Sequence, residues 1–292
     1  MKAPDTATIR AAGRNAEHTA RQTAQHPAIT RIARCGFAAR GVLYLIIGGL
    51  ALKAAFGAGG GTTDNPGAIA ALYQQPFGRF LVTLIGIGFL IYGLWLWVQA
   101  ALDTEGYGSD IKGVGARIGC AILGCSYLGL SLIAFGLVTH KRSNTTSTDR
   151  ETQDWTARLL AHPFGVVVVV IAGLVVLGVA GFFVYQSATA RFRDRLDLHN
   201  TWARTWAPPL GRIGYAALAL ADLPVGIFLI VAALRHNASE AKGLGGALAE
   251  LAQRPYGQFL LATVALGLIV YGCYSFIEAC CRRLVSPSRA AT

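Results

Sequence analysis

Arg34-Cys35-Gly36 opens an apolar run, and after a short polar link Pro76-Phe77-Gly78 opens a second apolar run. The same order occurs twice more, beginning at Arg117-Ile118-Gly119 and at Arg212-Ile213-Gly214, with second halves at Pro163-Phe164-Gly165 and Pro255-Tyr256-Gly257. Each unit of such a repeat must bury its apolar face against its neighbours. The repeat therefore predicts an all-α bundle of three two-helix units related by pseudo-three-fold symmetry.

The apolar runs are long enough to cross a membrane. Hydrophobic residues make up 53% of the chain and charged residues only 14%, whereas soluble domains carry about 25% charged residues. A spanning helix needs about 20 mostly apolar residues. We therefore predict an integral membrane protein with six transmembrane helices, from the runs Gly41–Phe56, Phe80–Leu102, Ile118–Val138, Phe164–Gln186, Ile213–Leu234 and Phe259–Ala279.

The repeat also divides the chain into segments. We predict a polar, basic leader over 1–30 and three repeats over 31–105, 112–190 and 208–284, each with two spans. A short tail over 285–292 follows the last span.

The net charge of +11 is distributed unevenly over the predicted links. The residues before the first span, between spans two and three, between spans four and five, and after the last span carry 17 of the 26 Lys and Arg residues, and the remaining 9 are Lys53 and those in the opposite links. Basic residues collect on the cytoplasmic side of membrane proteins. The distribution predicts that both termini are cytoplasmic in a multi-pass protein of the inner (cytoplasmic) membrane. It favours contact with the lipid bilayer over a nucleic-acid partner.

Small residues recur at fixed positions in every unit. Counted from the Pro of each second half, position ten is Gly86, Gly173 or Ala265, and position seventeen is Gly93, Ala180 or Gly272. The first helices carry Gly48, Ser131 and Gly226 at a matching position. Small residues let helices approach closely in lipid. These positions predict seams of helix packing.

The predicted outer link of each unit ends in a short helix and a corner. We expect short interfacial helices over Pro66–Gln75, Asp154–His162 and Gly246–Arg254. The following Pro stops each short helix, and the nearby Gly lets the turn tighten. We interpret these residues as structural corners: Pro76, Gly78, Pro163, Gly165, Pro255 and Gly257.

The chain resembles a family of bacterial membrane proteins, the domain of unknown function 1206. The resemblance rests on Arg34-Cys-Gly-Phe-Ala-Ala-Arg-Gly-Val-Leu-Tyr44, Gln75-Pro-Phe-Gly78 and Leu90-Ile-Tyr-Gly93, and it extends over residues ~31–284. It implies a six-span inner-membrane protein built from three two-helix units, without an established activity. Ala39-Arg40-Gly41 is a hallmark of this family, and here only the first unit retains it.

A candidate site is best sought where the three copies differ. Ten residues after the opening Arg, the copies read Tyr44, Tyr127 and Asp222. Asp222 should lie about 15 Å along its helix, near the membrane midplane, where a carboxylate needs a partner or a proton. Arg40, one turn before Tyr44, is the natural partner. Together the four residues form a candidate central polar site that serves a solute, an ion or protons.

A structural interpretation of the same residues stays open. Arg40 can extend toward the headgroups while a protonated Asp222 bonds a neighbouring helix. Near the cytoplasmic helix ends we expect an aromatic belt of Trp95, Phe182 and Tyr274. A polar tier should follow it, formed by Gln99, Gln186 and Glu278, and we expect Glu278 to be a solvated cap.

The sequence contains no recognisable catalytic or metal-binding motif. His140 and His162 lack carboxylates at ligand spacing, and no Gly-Lys-Ser/Thr follows the glycines at 57–61. We therefore expect no enzyme activity, no metal and no cofactor. Two roles remain: a structural, accessory or interaction role with other membrane proteins or a second copy, or a transporter or channel that uses the central polar site.

Overall fold

The computed structural model describes residues 27–57, 62, 64–102, 111–139, 148–197, 201–253 and 255–282. Most of the predicted leader and all of the tail lie outside these residues. Within them the chain is almost entirely helical. The helices are α1 (Pro27–Ala55), α2 (Asn65–Tyr73), α3 (Gly78–Leu102), α4 (Ile111–Val138), α5 (Thr148–Leu160), α6 (Gly165–Thr189), α7 (Thr201–Leu234), α8 (Leu244–Ala252) and α9 (Gly257–Cys281).

Six of the described helices are long and apolar enough to cross a membrane: α1, α3, α4, α6, α7 and α9. This confirms the predicted fold class, an all-α bundle of six apolar helices in three tandem repeats. Unit 1 contributes α1 and α3, unit 2 contributes α4 and α6, and unit 3 contributes α7 and α9. We call the end that carries the opening arginines the basic end, and the end that carries the Pro-aromatic-Gly corners the corner end.

The tightest helix pairs form between units rather than within them. The second helix of each unit packs along the first helix of the next, which gives the pairs α3–α4, α6–α7 and, closing from the last unit to the first, α9–α1. The predicted small residues lie at these crossings. A Cβ on Gly272 would stand 2.9 Å from the Gly41 carbonyl oxygen, and one on Gly173 would stand 3.1 Å from that of Gly226. Ser131 donates a hydrogen bond to the Gly86 carbonyl at 2.8 Å.

Within a unit, the two helices meet only in units 1 and 3 of the described chain. In unit 3 a Cβ on Gly214 would lie 2.8 Å from the Tyr271 Cα, and Gly36 of unit 1 is pressed against Tyr92 in the same way. In unit 2 the equivalent Gly119 has no described atom within 4 Å of a Cβ. Helices α4 and α6 are accordingly not packed against each other.

The bundle is thus an arc with the order α4–α3–α1–α9–α7–α6, open between α4 and α6. The three predicted units therefore do not close into a ring. The opening has a steric cause, since unit 2 carries Val175 where units 1 and 3 carry Gly88 and Gly267. A Cβ on Gly88 would already be 2.9 Å from the Ala39 Cβ, so a branched side chain prevents this approach.

The short helices α2, α5 and α8 join the units at the corner end. Helix α8 begins at Gly243, which has no side chain to cap it, and Asp149 of unit 2 supplies the missing acceptor. The Asp149 Oδ1 accepts hydrogen bonds from the backbone N–H of Gly243 at 2.7 Å and of Gly246 at 3.2 Å. Thr62 donates to the Gly245 carbonyl at 2.9 Å. Helix α5 begins six residues before its predicted start, and this extension provides Asp149.

The corners leave no room for a side chain at their glycine. A Cβ on Gly165 would overlap the Leu159 carbonyl oxygen. A Cβ on Gly78 or on Gly257 would likewise clash with the carbonyl oxygen of Leu72 or of Leu251. The residue before two of these glycines has a left-handed backbone, with φ of 61° at Phe77 and 62° at Tyr256. The second spanning helix of each unit begins at this glycine.

At the basic end, the link between α6 and α7 closes over the bundle. The backbone turns through Ala190, whose φ is 52°, into a 3-10 helix over Arg191–Arg195. Phe192 is buried there, with ring centroids 5.3 Å from Tyr215 and 5.2 Å from Tyr274. The Asp197 N–H then donates to the Cys281 carbonyl at 2.6 Å. The link therefore packs on α7 and α9 and holds the end of α9.

We expect Gly165→Ala to destabilise the protein by about 1–3 kcal/mol, because the added methyl group overlaps backbone. Gly178→Ala on the same helix is the matched control, since no described atom lies within 4 Å of its Cβ. It should be neutral or stabilise by up to about 1 kcal/mol through helix propensity. Thermal unfolding of both variants in detergent measures the difference, and equal melting temperatures would contradict the assignment.

A second glycine pair tests the open side of the arc. Gly214→Ala should lower the melting temperature, because its Cβ meets the backbone of α9. Gly119→Ala, at the equivalent position of unit 2, should not lower it. If Gly119→Ala destabilises the isolated chain as strongly as Gly214→Ala, the bundle closes between α4 and α6 after all.

Candidate functional site

Arg40 lies at the centre of the bundle, where α1 crosses α9. The crossing is close because Gly41 and Gly272 face each other there, with a Cβ on Gly41 only 3.0 Å from the Gly272 carbonyl oxygen. This contact directs the adjacent Arg40 into the bundle, where only 7% of the residue is exposed. A buried guanidinium requires a negative partner, because an isolated charge in a low-dielectric interior is very costly.

That partner is Glu278 of α9. Arg40 Nη2 donates to Glu278 Oε2, and Arg282 Nη1 donates to Glu278 Oε1 at 3.0 Å. Each carboxylate oxygen thus accepts a hydrogen bond from a different guanidinium. We call Arg40, Glu278 and Arg282 the charged triad; its formal charge is +1.

The triad corrects two sequence predictions. Arg40 was expected to pair with Asp222, and it pairs with Glu278 instead. Glu278 was expected to be a solvated cap, but it is only 2% exposed. The physical reason is that α1 packs more extensively on α9 than on any other described helix. The carboxylate closest to Arg40 is therefore the one on α9, although it is 238 positions away in the sequence.

Aromatic rings surround the Arg40 guanidinium. Its central carbon lies 5.1 Å from the Phe37 ring centroid, 5.9 Å from that of Tyr92 and 5.3 Å from that of Tyr271. Such contacts contribute about 2 kcal/mol when desolvated. Arg282 lies over the same Phe37 ring, with its central carbon 4.6 Å from the ring centroid. The rings replace part of the water that a surface arginine would keep.

The predicted central residues are partly brought together. Tyr127 interacts with Arg40 across the bundle and packs on Tyr92 at 4.8 Å between centroids. Tyr44 packs edge-on against Tyr271 at 4.9 Å. Asp222 has an electrostatic interaction with Tyr44, yet it forms no ion pair among the described residues. Asp222 is half-buried, unlike Arg40 and Tyr127.

The polar tier is buried rather than interfacial. Gln99 and Gln186 are as well buried as Glu278, so each second helix carries one polar side chain inside the bundle near the basic end. Two of the three predicted belt residues, Trp95 and Tyr274, are also buried, and only Phe182 is exposed. Phe182 belongs to unit 2, where the arc is open.

Sequence reasoning missed Tyr92 and Tyr271. A signal was available, because both precede the position-seventeen glycine of their units, as Tyr92-Gly93 and Tyr271-Gly272. Unit 2 has Val179 at the same position, and this residue is 41% exposed. Tyr92 of unit 1 and Tyr271 of unit 3 contact Arg40. These are the two units in which the two helices pack against each other.

Among the described residues, two polar side-chain atoms near the triad are buried without a hydrogen bond, Arg40 Nε and the Tyr274 hydroxyl. No group of three His, Cys, Asp or Glu residues in the described part of the chain is placed to hold a metal ion. The arrangement holds the Arg40 guanidinium in place through one carboxylate and several aromatic rings.

The family model described as Domain of Unknown Function (DUF1206) matches this chain three times, over residues 35–103, 118–190 and 213–282. One curated relative is 34% identical over 256 residues, which is 86% of this chain and 90% of the relative. Its printed name is "Uncharacterized protein YxxB", from Bacillus subtilis (strain 168). No solved structure gives a significant match.

The ion pair makes a specific prediction for stability. Glu278→Leu should destabilise the protein by about 3–5 kcal/mol, because it leaves the buried Arg40 guanidinium without its partner. Arg40→Leu should destabilise it less, because Glu278 keeps the hydrogen bond from Arg282. The double variant should lose much less than the sum of the two. Asp222→Leu should be close to neutral. The measurement is a double-mutant cycle of thermal or denaturant unfolding in detergent.

Two results would contradict this assignment. One is additive losses in the Arg40 and Glu278 cycle. The other is a coupling of Arg40 with Asp222 that exceeds its coupling with Glu278.

Proposed function

Because this chain belongs to the Domain of Unknown Function (DUF1206) family, whose description gives no activity, we propose its function from the geometry of its centre. We propose a structural or interaction role in the membrane, as an accessory protein that other membrane components contact. Its interior then serves stability, and its outer helix faces serve recognition. The role needs no catalysis, cofactor or nucleic acid.

The observation that carries this proposal is the charged triad. Both oxygens of its carboxylate accept hydrogen bonds, aromatic rings surround its central guanidinium, and Phe192 of the link packs on Tyr274 at the basic end. A transport site must exchange its partners for a solute during each cycle. A buried ion pair opposes such exchange, because separating it leaves two charges in a low-dielectric interior.

We further propose that the protein lies in the inner membrane of a bacterium with both termini in the cytoplasm. The support is the excess of Lys and Arg in the leader, in the links between units and in the tail. Arg117 supports the same orientation, since it donates to the Ala100 carbonyl at 2.7 Å and the Ala101 carbonyl at 3.0 Å. These bonds hold a basic residue at the C-terminus of α3.

One observation favours the alternative role of a transporter or channel. Asp222 is half-buried near the middle of α7, and the described residues provide no cationic partner for it. Pro224, inside the same helix, removes one backbone hydrogen bond nearby. A carboxylate in such a place is a default candidate for ion or proton binding. The two roles differ in whether water reaches it.

Thiol accessibility at position 222 separates the two roles. In a chain without its six native cysteines, Asp222→Cys is exposed to a membrane-impermeant maleimide from each side. Phe77→Cys at the corner end and Trp206→Cys at the basic end are controls, since both residues are exposed. We expect the controls to react, each from one side, and position 222 to remain unlabelled.

Rapid labelling at position 222 would instead favour the transport role and would identify the open side. Labelling of Trp206→Cys only from the periplasmic side would overturn the proposed orientation. Leu223→Cys, on the adjacent exposed position of α7, reports whether the reagent enters the lipid.

A further inference from the structure

Helix α6 is the spanning helix with the most surface left for lipid. It is the most apolar of the six and the least buried within the bundle. The only spanning helix that packs along it, among the described residues, is α7. It carries no charged residue from Gly165 to Thr189. Acyl chains therefore cover most of α6, and the headgroups of the same lipids lie at its two ends.

Arg212 of α7 lies at the level of those headgroups at the basic end. The Ser187 hydroxyl of α6 donates to the Arg212 carbonyl at 2.8 Å, so the two residues are side by side. From Gly165 to Ser187 the helix rises about 33 Å at 1.5 Å per residue. The hydrocarbon layer is about 30 Å thick. The exposed Arg212 side chain is therefore placed at the boundary between acyl chains and phosphates.

Arg191 follows the end of α6 and its side chain folds back along the helix. The central carbon of its guanidinium is 5.4 Å from the Tyr185 ring centroid, and both residues are exposed. Tyr185 and Ser187 are two positions apart, so they point to nearly opposite faces of α6. Arg191 and Arg212 thus flank the end of α6 on two sides. Neither is paired with a carboxylate among the described residues.

The equivalent joint between units 1 and 2 uses its arginine differently. Arg117, at the repeat position of Arg212, donates to two carbonyls near the C-terminus of α3 and so caps that helix. Helix α6 ends instead at Ala190, which has a left-handed backbone and donates its N–H to the Gln186 carbonyl at 2.9 Å. Because α6 closes its own end in this way, the Arg212 guanidinium is left to bind another anionic group.

The charge around this end is strongly positive. Residues 191–212 contain five arginines and two aspartates, a formal charge of +3. The buried Phe192 and the hydrogen bond from the Asp197 N–H to the Cys281 carbonyl fix the link in place. At the corner end the preceding helix α5 contains three acidic residues and two arginines. Electrostatic attraction therefore favours an anionic headgroup at the basic end of α6 and not at its corner end.

We propose that the basic end of α6 binds anionic phospholipids, whose acyl chains lie along α6 and whose phosphates accept hydrogen bonds from Arg212 on one flank and from Arg191 on the other. A guanidinium matches the geometry of a phosphate group and can donate two hydrogen bonds to it. The lipid site does not depend on the role proposed above. Labelling at position 222 decides that role and lipid affinity decides this site, so the two experiments can fail separately.

The test is native mass spectrometry of the full chain in a mild detergent. The chain is titrated with phosphatidylglycerol and, separately, with phosphatidylcholine. It should bind phosphatidylglycerol at least about fivefold more tightly, which is the effect of one surface arginine on an anionic lipid. Arg191→Gln and Arg212→Gln should each weaken the binding of phosphatidylglycerol. The double variant should bind the two lipids equally, and no variant should change the affinity for phosphatidylcholine.

The matched control is Arg158→Gln at the corner end. Arg158 is exposed, and its central carbon lies 5.7 Å from the Trp155 ring centroid. The variant thus removes the same charge and the same kind of ring contact as Arg191→Gln, but away from the site. It should leave the affinity for phosphatidylglycerol unchanged. Arg212→Lys, which keeps the charge, should retain most of the preference, and equal melting temperatures show that the variants are folded.

Three results would overturn the proposal. Equal affinity of the unmodified chain for the two lipids would show that the headgroup charge is not recognised. A loss in Arg158→Gln as large as that in Arg212→Gln would show a response to net charge alone. Displacement of the lipid by an equal concentration of glycerophosphate would show a site for a soluble anion, in which the acyl chains along α6 play no part.

Discussion

The contact between the first and last spanning helices organises the centre of the bundle. Helices α1 and α9 approach closely because Gly41 and Gly272 remove the side chains that would keep them apart. In lipid the hydrophobic effect supplies no attraction between helices, so packing and hydrogen bonds at such crossings must hold them together. Through this contact, the first and last spanning helices become neighbours and form the middle of the arc.

The charged triad depends on that crossing. A guanidinium in the interior has a large desolvation cost, and a single carboxylate offsets it only with good geometry and further contacts. Glu278 supplies the carboxylate, and the rings of Phe37, Tyr92 and Tyr271 supply the further contacts. Only unit 1 carries the arginine and only unit 3 carries the glutamate. The pair thus connects the two units that the chain separates most.

Unit 2 has diverged in a concerted way. Unit 2 has Leu123 at the position of Arg40 and Val179 at the position of Tyr92 and Tyr271. It also has Val175 at the position of the glycine that lets the two helices of a unit pack together. As a result α6 is the least buried spanning helix, and Leu123, which is equivalent to Arg40, is 43% exposed. The other two units retain both contacts, so the differences are confined to one side of the bundle.

Most of the fold was predictable because its signals are local or periodic. Span lengths follow from apolar runs, corners from Pro-aromatic-Gly, and the crossings between units from small residues such as Gly86 and Gly173 at fixed positions. These patterns report what a helix must do in lipid. They do not report which face of one helix meets which helix of another unit.

Only the tertiary structure decided the partner of Arg40. The choice between Asp222 and Glu278 depends on the neighbour of α1 and on the angle at which each helix presents its carboxylate. Neither the neighbour of α1 nor this angle can be read from a single segment of the sequence. The opening between α4 and α6 is an intermediate case: Val175 stands in the sequence where the other units have glycine, but its steric effect is visible only against the close contacts of units 1 and 3. Sequence determined the parts and their repeats, whereas non-local packing determined which charges meet.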